Sequence, residues 1–421
     1  METAELTADP PVEGSSFGYS VALAGDRALI GAPGNGDAGT DSGGAYVFEF
    51  SGGTWTQTAT LTASDTAEDD LFGWSVALDG DRVLVGAVGD GDAGDFTGSA
   101  YVFDLRNGEW TETIRLTASD AAERDYFGHS VALSGDRALI GAFGDDDAGS
   151  LSGSAHVFEL AAGEWTEAAK LTASDAEEGD RFGGSVALAG DRALVGAHRD
   201  DDVRDASGSA YVFDLAACTA RCTEAVKLTP DDPTAGARFG RSVALSGDRA
   251  LVGATGTDGS GPAFGSAYVF DLTVGAQIAR LTPDDPVGDD GFGFAVALSD
   301  ERALVGAFGD DGAGSDAGSA YVFDLASVVP TEDAPENVAL GAVSPNPTQG
   351  GAEVALMLAA PGEVKVAVYD ALGRLVGSTR QSVAAGRSRV AVPVGGLAPG
   401  AYVVRVETPS GAASRRVTVV R

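Results

Sequence analysis

The chain has 421 residues, of which 44% are apolar, so it is long enough to bury a large core. Its formal net charge of −36 disfavours binding to a nucleic-acid backbone or to an anionic membrane surface, because both repel an acidic protein. No stretch approaches the roughly 18 to 20 consecutive apolar residues of a membrane helix, so no transmembrane segment is predicted. The N-terminal METAELTADP has neither a basic start nor an apolar core, so no secretory signal peptide is visible.

A Phe-Gly pair recurs along most of the chain at a nearly constant interval. The intervals are 55, 55, 55, 57 and 53 residues, and the phenylalanines are Phe17, Phe72, Phe127, Phe182, Phe239 and Phe292. A period of this length indicates a repeat protein in which each repeat is one supersecondary unit.

Each repeat contains four short strand patterns, which in the third repeat span 129–133, 137–142, 154–160 and 164–172. β-prone runs separated by Gly and Asp turns form antiparallel meanders, and a ring of such meanders removes most exposed sheet edges. We therefore predict an all-β fold, with a six-bladed β-propeller of four-stranded antiparallel blades over residues 1–327. A solenoid is the competing interpretation, although solenoid repeats are usually shorter and need distinct caps.

The two ends of the repeat array predict how the ring closes. The sixth repeat lacks the outer strand of the others, and the N-terminal METAELT resembles that strand. We predict that residues 2–8 pair onto the sixth blade. A further upstream repeat would leave the same N-terminal sequence, so seven blades are the alternative.

The residue after each Phe-Gly pair varies, although its neighbours hardly change, and so does the residue after the next Gly-Ala. Both positions are expected where the inner strands meet the mouth of the central channel. Aromatic and basic side chains there could stack on a sugar or hold a protein anchor, whereas variation in blade packing is the alternative. The predicted ligand-binding residues are Tyr19, Trp74, His129, Arg241 and Phe294.

Alternate aspartates follow the second strand of several repeats, in a pattern that can wrap a hard cation. Calcium is therefore the one possible cofactor, and the alternative is a solvated Asp/Gly turn on an anionic face that keeps the protein soluble. The candidate metal ligands are Asp90, Asp92, Asp95, Asp145, Asp147, Asp200, Asp202 and Asp205.

Two cysteines lie close together in the fourth repeat and none occurs elsewhere. Cys218 and Cys222 replace the turn between its third and fourth strands. A local disulfide in an oxidising compartment is the prediction, because a metal site would need further ligands that are not visible.

The pattern FGxSVALxGDRALxGA followed by GSAYVF is present in all six repeats. It resembles the FG-GAP repeats of integrin α-chain propellers and of many bacterial surface proteins. The calcium loop of that family lies between the first and second strands, where this chain has tight turns such as Ser134-Gly135-Asp136-Arg137. The calcium ligands of the family therefore have no matching positions here.

The composition changes after a Pro-rich linker, predicted at residues 328–339. Residues 340–421 alternate apolar and polar residues between turn signals, which predicts a small C-terminal β-sandwich. Pro345-Asn346-Pro347, VYDALGR, LAPGAYVVRV and the terminal RRVTVVR resemble the type A sorting domain of the type IX secretion system. That resemblance implies the type IX machinery as a partner, export across the outer membrane of a Gram-negative bacterium, and removal of the tail.

No catalytic set emerges from the sequence. The three histidines stand where other repeats have aromatic residues, and none lies in a known nucleophile motif. We therefore predict a monomeric, non-enzymatic propeller, secreted or on the cell surface, that binds or adheres to an unidentified protein or glycan. The alternatives are a carbohydrate-binding lectin and a propeller hydrolase or lyase, between which the fold cannot decide.

Overall fold

The computed structural model describes residues 4–218, 221–256, 264–283, 288, 290–311, 317–325, 339–344, 348, 351–358, 361–369, 375–384, 386–408 and 411–420. Within these ranges the chain is almost entirely strand and turn, with one short 3₁₀ helix at Leu215–Ala217. None of the helical structure there is long and apolar enough to span a membrane. The predicted all-β class is confirmed.

The repeats form six antiparallel sheets, which are the six predicted blades. The first blade consists of β1 Ser20–Ala24, β2 Arg27–Ala32, β3 Gly44–Ser51 and β4 Thr54–Leu61. The second consists of β5 Phe72–Asp79, β6 Arg82–Ala87, β7 Ser99–Arg106 and β8 Glu109–Leu116. The third consists of β9 Ser130–Ser134, β10 Arg137–Ala142, β11 Ser154–Ala161 and β12 Glu164–Leu171. The fourth blade consists of β13 Phe182–Ala189, β14 Arg192–Ala197, β15 Ser209–Asp214 and β17 Val226–Leu228. The fifth consists of β18 Phe239–Ser246, β19 Arg249–Ala254, β20 Ser266–Asp271 and β21 Ala276–Leu281. The sixth consists of β22 Phe292–Leu298, β23 Arg302–Ala307 and β24 Ser319–Asp324. The short β16, Arg221–Cys222, pairs with the edge of the third blade.

The core lies between neighbouring blades. The second strand of each blade is apolar on both faces because each face packs against a different blade, as Leu84 and Val85 do. Phe72 is fully buried between the first and second blades, and the phenylalanines of the later Phe-Gly pairs are buried in the same way. These phenylalanines are therefore wedges between blades.

Two polar contacts repeat from blade to blade. A serine on the inner strand donates to the carbonyl of the next Phe-Gly glycine, as Ser75 Oγ does to Gly128 O at 2.7 Å. The arginine of each Gly-Asp-Arg turn reaches the corresponding turn of the next blade, as Arg82 does at Gly135 O (3.0 Å) and Asp136. The repeated sequence thus encodes the contacts between blades as well as the strands.

The sixth blade has three strands in the described residues, β22 to β24, and the face that in the fifth blade packs against the next blade is exposed here. Leu304 and Val322 are 44% and 65% exposed, whereas their counterparts in the fifth blade, Leu251 and Val269, are fully buried. Residues 4–8 form no strand, and Leu6 and Ala8 pack against the first blade. The predicted pairing of residues 2–8 with the sixth blade is therefore not seen within the described part of this segment.

The C-terminal part forms two further sheets, ordered β25-β26-β29 and β28-β27-β30-β31. Their strands are β25 Ala339–Ser344, β26 Ala352–Leu358, β27 Gly362–Tyr369, β28 Leu375–Val383, β29 Gly386–Val392, β30 Gly400–Thr408 and β31 Gly411–Val419. Valines from both sheets, such as Val354 and Val404, share one buried core, as in a β-sandwich. Residues 328–338 of the predicted linker lie outside the described residues, and the domain boundaries remain predictions.

Candidate functional site

A tight turn at each Phe-Gly pair sets the geometry of the central mouth. The amide of the residue after Phe-Gly donates to the carbonyl three residues earlier, as Trp74 N does to Leu71 O and His129 N to Tyr126 O, both at 3.1 Å. The glycine of the pair has a positive φ, +93° at Gly73, which favours glycine at this position. The residues before and after each Phe-Gly pair therefore lie side by side at the mouth.

The structure brings the predicted ligand-binding residues into two groups of contacts. The rings of Tyr19 and Trp74 are 4.7 Å apart between centroids, and those of Trp74 and His129 are 5.9 Å apart. The guanidinium of Arg241 lies 4.5 Å from the ring centroid of Phe294. Burial raises the pKa of Tyr19, and the charge of Arg241 opposes this rise, so Arg241 lies within electrostatic reach of Tyr19.

A second row of side chains, from the residue after Gly-Ala, extends this surface. Phe143 contacts His129 edge-on at 4.6 Å and stacks on Tyr126 at 4.9 Å. The guanidinium of Arg181 lies 5.6 Å from the centroid of Phe143. Aromatic and basic groups are therefore neighbours at the mouth.

Positive charge concentrates on the fourth and fifth blades. Burial and the neighbouring charges of Arg199, Arg238 and Arg241 lower the pKa of Arg181. Burial, followed by Arg241, lowers the pKa of His129 to about 4, and burial with the same arginines lowers that of His198 to about 3. Both histidines are therefore neutral at pH 7, and the charge of the mouth belongs to the arginines.

Sequence reasoning missed Arg181, Arg199 and Arg238 as members of this surface. Arg181 and Arg238 immediately precede Phe-Gly pairs, and Arg199 follows His198. The available signal was that the residue before Phe-Gly also varies between repeats, from Leu71 and Tyr126 to these arginines.

The aspartates predicted as metal ligands surround basic side chains instead. Lys227 Nζ donates to Asp175, Asp200 and Asp202 at 2.7 to 2.8 Å. Lys170 Nζ is equivalently placed among Asp120, Asp145 and Asp147, and Arg115 among Asp65, Asp90 and Asp92. Asp95 and Asp205 are exposed, and their main-chain carbonyls accept from the following link.

These clusters occupy the place where a cation would bind. Oxygens of Asp175, Asp200 and Asp202 lie within 4.8 Å of one another, close enough to share an ion, but the Lys227 ammonium already bonds to all three. The first blade has no such cation, because Thr60 stands at the basic position, and Asn35 replaces the buried aspartate there and bonds to Tyr46. Each cluster thus holds three carboxylates around one cation and stays net negative. Calcium binding remains an untested prediction.

One Ser-His-Glu arrangement occurs among the described residues. His156 Nε2 lies 3.0 Å from Ser154 Oγ, and His156 Nδ1 lies 2.8 Å from Glu167. Ser154 and His156 are completely buried, and the serine donates to Asp145 at 2.8 Å. No substrate can reach this serine, so the arrangement is a polar link within the blade, with His156 where other blades have tyrosine.

Cys218, which follows the 3₁₀ helix, forms a disulfide with Cys222 in β16. Both sulfurs belong to residues that pack against the core between the third and fourth blades. The pair therefore fixes the fourth blade's irregular outer edge onto its neighbour.

Six meanders joined by the same Phe-Gly, serine and arginine contacts define a repeat β-propeller. The family model described as FG-GAP repeat matches residues 1–48, 55–103, 110–158, 165–213, 222–270 and 276–323, and the chain belongs to that family. A second model, described as secretion system C-terminal sorting domain, matches residues 342–420. This sorting domain indicates a protein exported to the outer-membrane surface or the medium by the type IX machinery.

Comparison with solved structures yields distant propellers. An acylaminoacyl peptidase from Pyrococcus horikoshii matches at 10% identity and a TM-score of 0.39, covering 81% of this chain and 49% of that one. The β-propeller domain of the Trilobed protease from Pyrococcus furiosus, described as having an open velcro topology, matches at 10% identity and a TM-score of 0.39, covering 81% and 91%. The chain thus spans about half the length of the first of these proteins. No curated protein matches the chain.

Proposed function

We propose that this protein is a non-enzymatic binding propeller, secreted or attached to the cell surface, whose ligand engages the central mouth. The observation that carries the proposal is the set of aromatic and basic side chains that meet there from different blades. Loop ends held by a rigid scaffold are common binding sites, and aromatic residues with arginine dominate binding energies at interfaces. The sorting domain supports a location in which such a mouth meets external ligands.

Within this proposal, a glycan ligand is favoured over a protein ligand by the exposure of the rings. Tyr19 is 53% exposed and Phe294 40% exposed at the mouth, so their faces are accessible for stacking against sugar rings. The hydrolase alternative has no support from the buried Ser154 and His156.

A glycan array probed with the whole chain, with and without a calcium chelator, tests the proposal. We expect binding that persists with chelator and that decreases at least about tenfold in the Tyr19→Ala, Phe294→Ala double variant, which corresponds to about 1.4 kcal/mol. Phe50→Ala is the matched control, because Phe50 is 41% exposed but packs on Trp55 at the outer edge of the first blade. Equal binding by all variants, or no binding by the native chain, would contradict the proposal.

A further inference from the structure

We propose that the central mouth recognises the single acidic group of a glycan chain end, such as a terminal uronic acid, through arginines of the fourth and fifth blades. This inference rests on the proposed binding function and names the chemistry of the ligand.

The arginines at the mouth differ from the structural arginines of the repeats. Most structural arginines meet a carboxylate, as Arg27, Arg82 and Arg137 do in the turns between blades, whereas Arg249 donates to the main-chain carbonyl of Asp300. In the part of the chain that the structure describes, no ion pair is formed by Arg181, Arg199, Arg238 or Arg241. A protein with a net charge of −36 has thus kept four arginines together without an acidic partner.

Buried polar atoms at the same place also lack partners. Arg181 Nε and His198 Nδ1 are inaccessible to solvent and make no hydrogen bond within the described residues. His198 lies over Gly184, where a Cβ would approach His198 Nδ1 to 3.2 Å. Gly184 stands where the other blades carry Tyr, Trp, His, Arg or Phe, so no side chain from this position lies over the His198 ring. Arg181 as a whole is half-buried, and a carboxylate at the accessible part of its guanidinium would give this unpaired cation a charge-assisted hydrogen bond.

Aromatic rings hold the guanidinium groups in place. Arg181 lies over Phe143 and Arg241 over Phe294, in contacts that fix the planes of the guanidinium groups. A guanidinium so held can form two parallel hydrogen bonds to a carboxylate or sulfate. The adjacent rings of Tyr19 and Trp74 supply faces for the rest of the sugar.

The surroundings select an isolated acidic group over a polyanion. Acidic loops begin two residues after the second-row positions of Phe143 and His198, and the carboxylates of Asp146 and Asp201 in these loops are exposed. A long polyanion lying across the mouth would meet these carboxylates and be repelled at distances of about 10 Å or less. A glycan chain end with one acidic group reaches the arginines without passing over the carboxylates of the acidic loops.

Titration calorimetry with the whole chain tests this inference with three probes. These are a glucuronic-acid-terminated oligosaccharide, the same oligosaccharide ending in neutral glucose, and heparin as a polyanion. We expect the acidic oligosaccharide to bind at least about tenfold more tightly than the neutral one, with an affinity that falls as salt rises. The Arg181→Gln, Arg241→Gln double variant should lose this preference but keep binding of the neutral probe through the rings.

Arg106→Gln, in a surface turn between β7 and β8 where Arg106 pairs with Asp104, is the control for loss of positive charge at another site and should bind like the native chain. Equal affinity for acidic and neutral sugars would overturn the inference and leave the proposed function intact. Tighter binding of heparin than of the single-acid probe would overturn the selection of an isolated group. No binding of any of the three probes would overturn the inference.

Discussion

At the scale of single residues, the basic side chains inside the acidic loops have the clearest consequences. Lys227 compensates Asp200, which is only 1% exposed, together with Asp175 and Asp202. Removing one partner from a buried ion cluster leaves uncompensated charge. We expect Lys227→Met to lower the free energy of unfolding by about 3 kcal/mol, at the lower end of the range for buried pairs because the lysine retains partial exposure. Urea unfolding at neutral pH measures the loss.

The first blade supplies the control for this prediction. Its Asn35 and Thr60 occupy the positions of the buried aspartate and the basic residue. The double variant Lys227→Thr, Asp200→Asn should therefore recover most of the stability that Lys227→Met loses. Excess calcium should raise the melting temperature of Lys227→Met and not that of the native chain, because only the variant has a free cation position. Equal losses in the single and double variants would contradict the charge argument.

A second residue-scale prediction concerns Asp180, a buried carboxylate in the link before the fourth blade. Burial first, and then nearby aspartates, raise the pKa of Asp180 to about 6. Asp180 is therefore protonated below about pH 6 in the folded state but only near pH 4 in the unfolded state. Its contribution to the free energy of unfolding rises as the pH falls from 6 to 4, because the folded state binds the proton first. Asp180→Asn keeps an acceptor for the Glu177 amide and removes the buried charge.

We therefore expect Asp180→Asn to melt at a higher temperature than the native chain at pH 7, and the difference to shrink towards pH 5. Asp191→Asn, at an exposed turn, is not a suitable control because Asp191 pairs with Arg137. Asp26→Asn is preferable, since Asp26 is exposed in the turn between β1 and β2, away from Asp180. A pH-independent difference between Asp180→Asn and the native chain would argue against the raised pKa.

The sequence predicted the acidic loops but not the basic side chains that lie among their carboxylates. The alternating aspartates are adjacent in the chain and visible as a pattern, whereas the cation comes from the outer strand, about 25 residues later. Only the pairing of β15 with β17 brings Lys227 beside Asp200. A basic residue before the last leucine of the outer strand, as in Lys170-Leu171 and Lys227-Leu228, was the available sign.

At the scale of elements, the Phe-Gly turn is the strongest constraint on blade packing. Gly183 has φ +83°, and a Cβ there would lie 2.0 Å from Ser154 O of the preceding blade. Because that oxygen belongs to the backbone, the two blades would have to separate. We expect Gly183→Ala to lower the free energy of unfolding by more than about 3 kcal/mol, by combining a disfavoured φ with this overlap.

Gly190→Ala separates the two contributions. Gly190 has φ +57° in the tight turn between β13 and β14, and no atom lies within 4 Å of its Cβ position. Gly190→Ala should therefore lower the free energy of unfolding only by the conformational penalty of a positive φ, about 1 kcal/mol. Similar losses in the two variants, measured by urea unfolding, would show that the blades adjust freely at Gly183.

The repeat explains why the elements were predictable. The Phe-Gly period and the turns between strands predicted the blades, because local turn geometry and a wedge such as Phe127 suffice to define a meander. The fourth blade departs from the pattern, since the turn containing Cys218 and Cys222 leaves an outer strand of only three residues, Val226–Leu228. The repeat pattern therefore did not predict the shortened outer strand of the fourth blade, which results from a change in one turn.

At the scale of the whole molecule, the ends of the blade array were the part that the sequence did not determine. METAELT matches the outer strand by pattern, yet residues 4–8 pack on the first blade without forming a strand. Glu5 also stands where Arg115 lies in the second repeat, so the segment would bring a negative charge to an acidic loop of the sixth blade. Apolar pattern alone therefore did not specify the partner of this segment.

The open face of the sixth blade leads to a prediction with an internal control. β20 and β24 have the same sequence, SAYVFD, but Val269 is completely buried whereas Val322 is 65% exposed. Truncating a buried valine removes packing and leaves a cavity, which costs about 2 kcal/mol, whereas surface truncations stay within about 0.5 kcal/mol. We expect Val269→Ala to lower the melting temperature of the propeller clearly and Val322→Ala to leave it nearly unchanged. If both variants lose the same stability at low protein concentration, another part of the same molecule covers Val322. If Val322→Ala loses stability only at high protein concentration, a second molecule covers it.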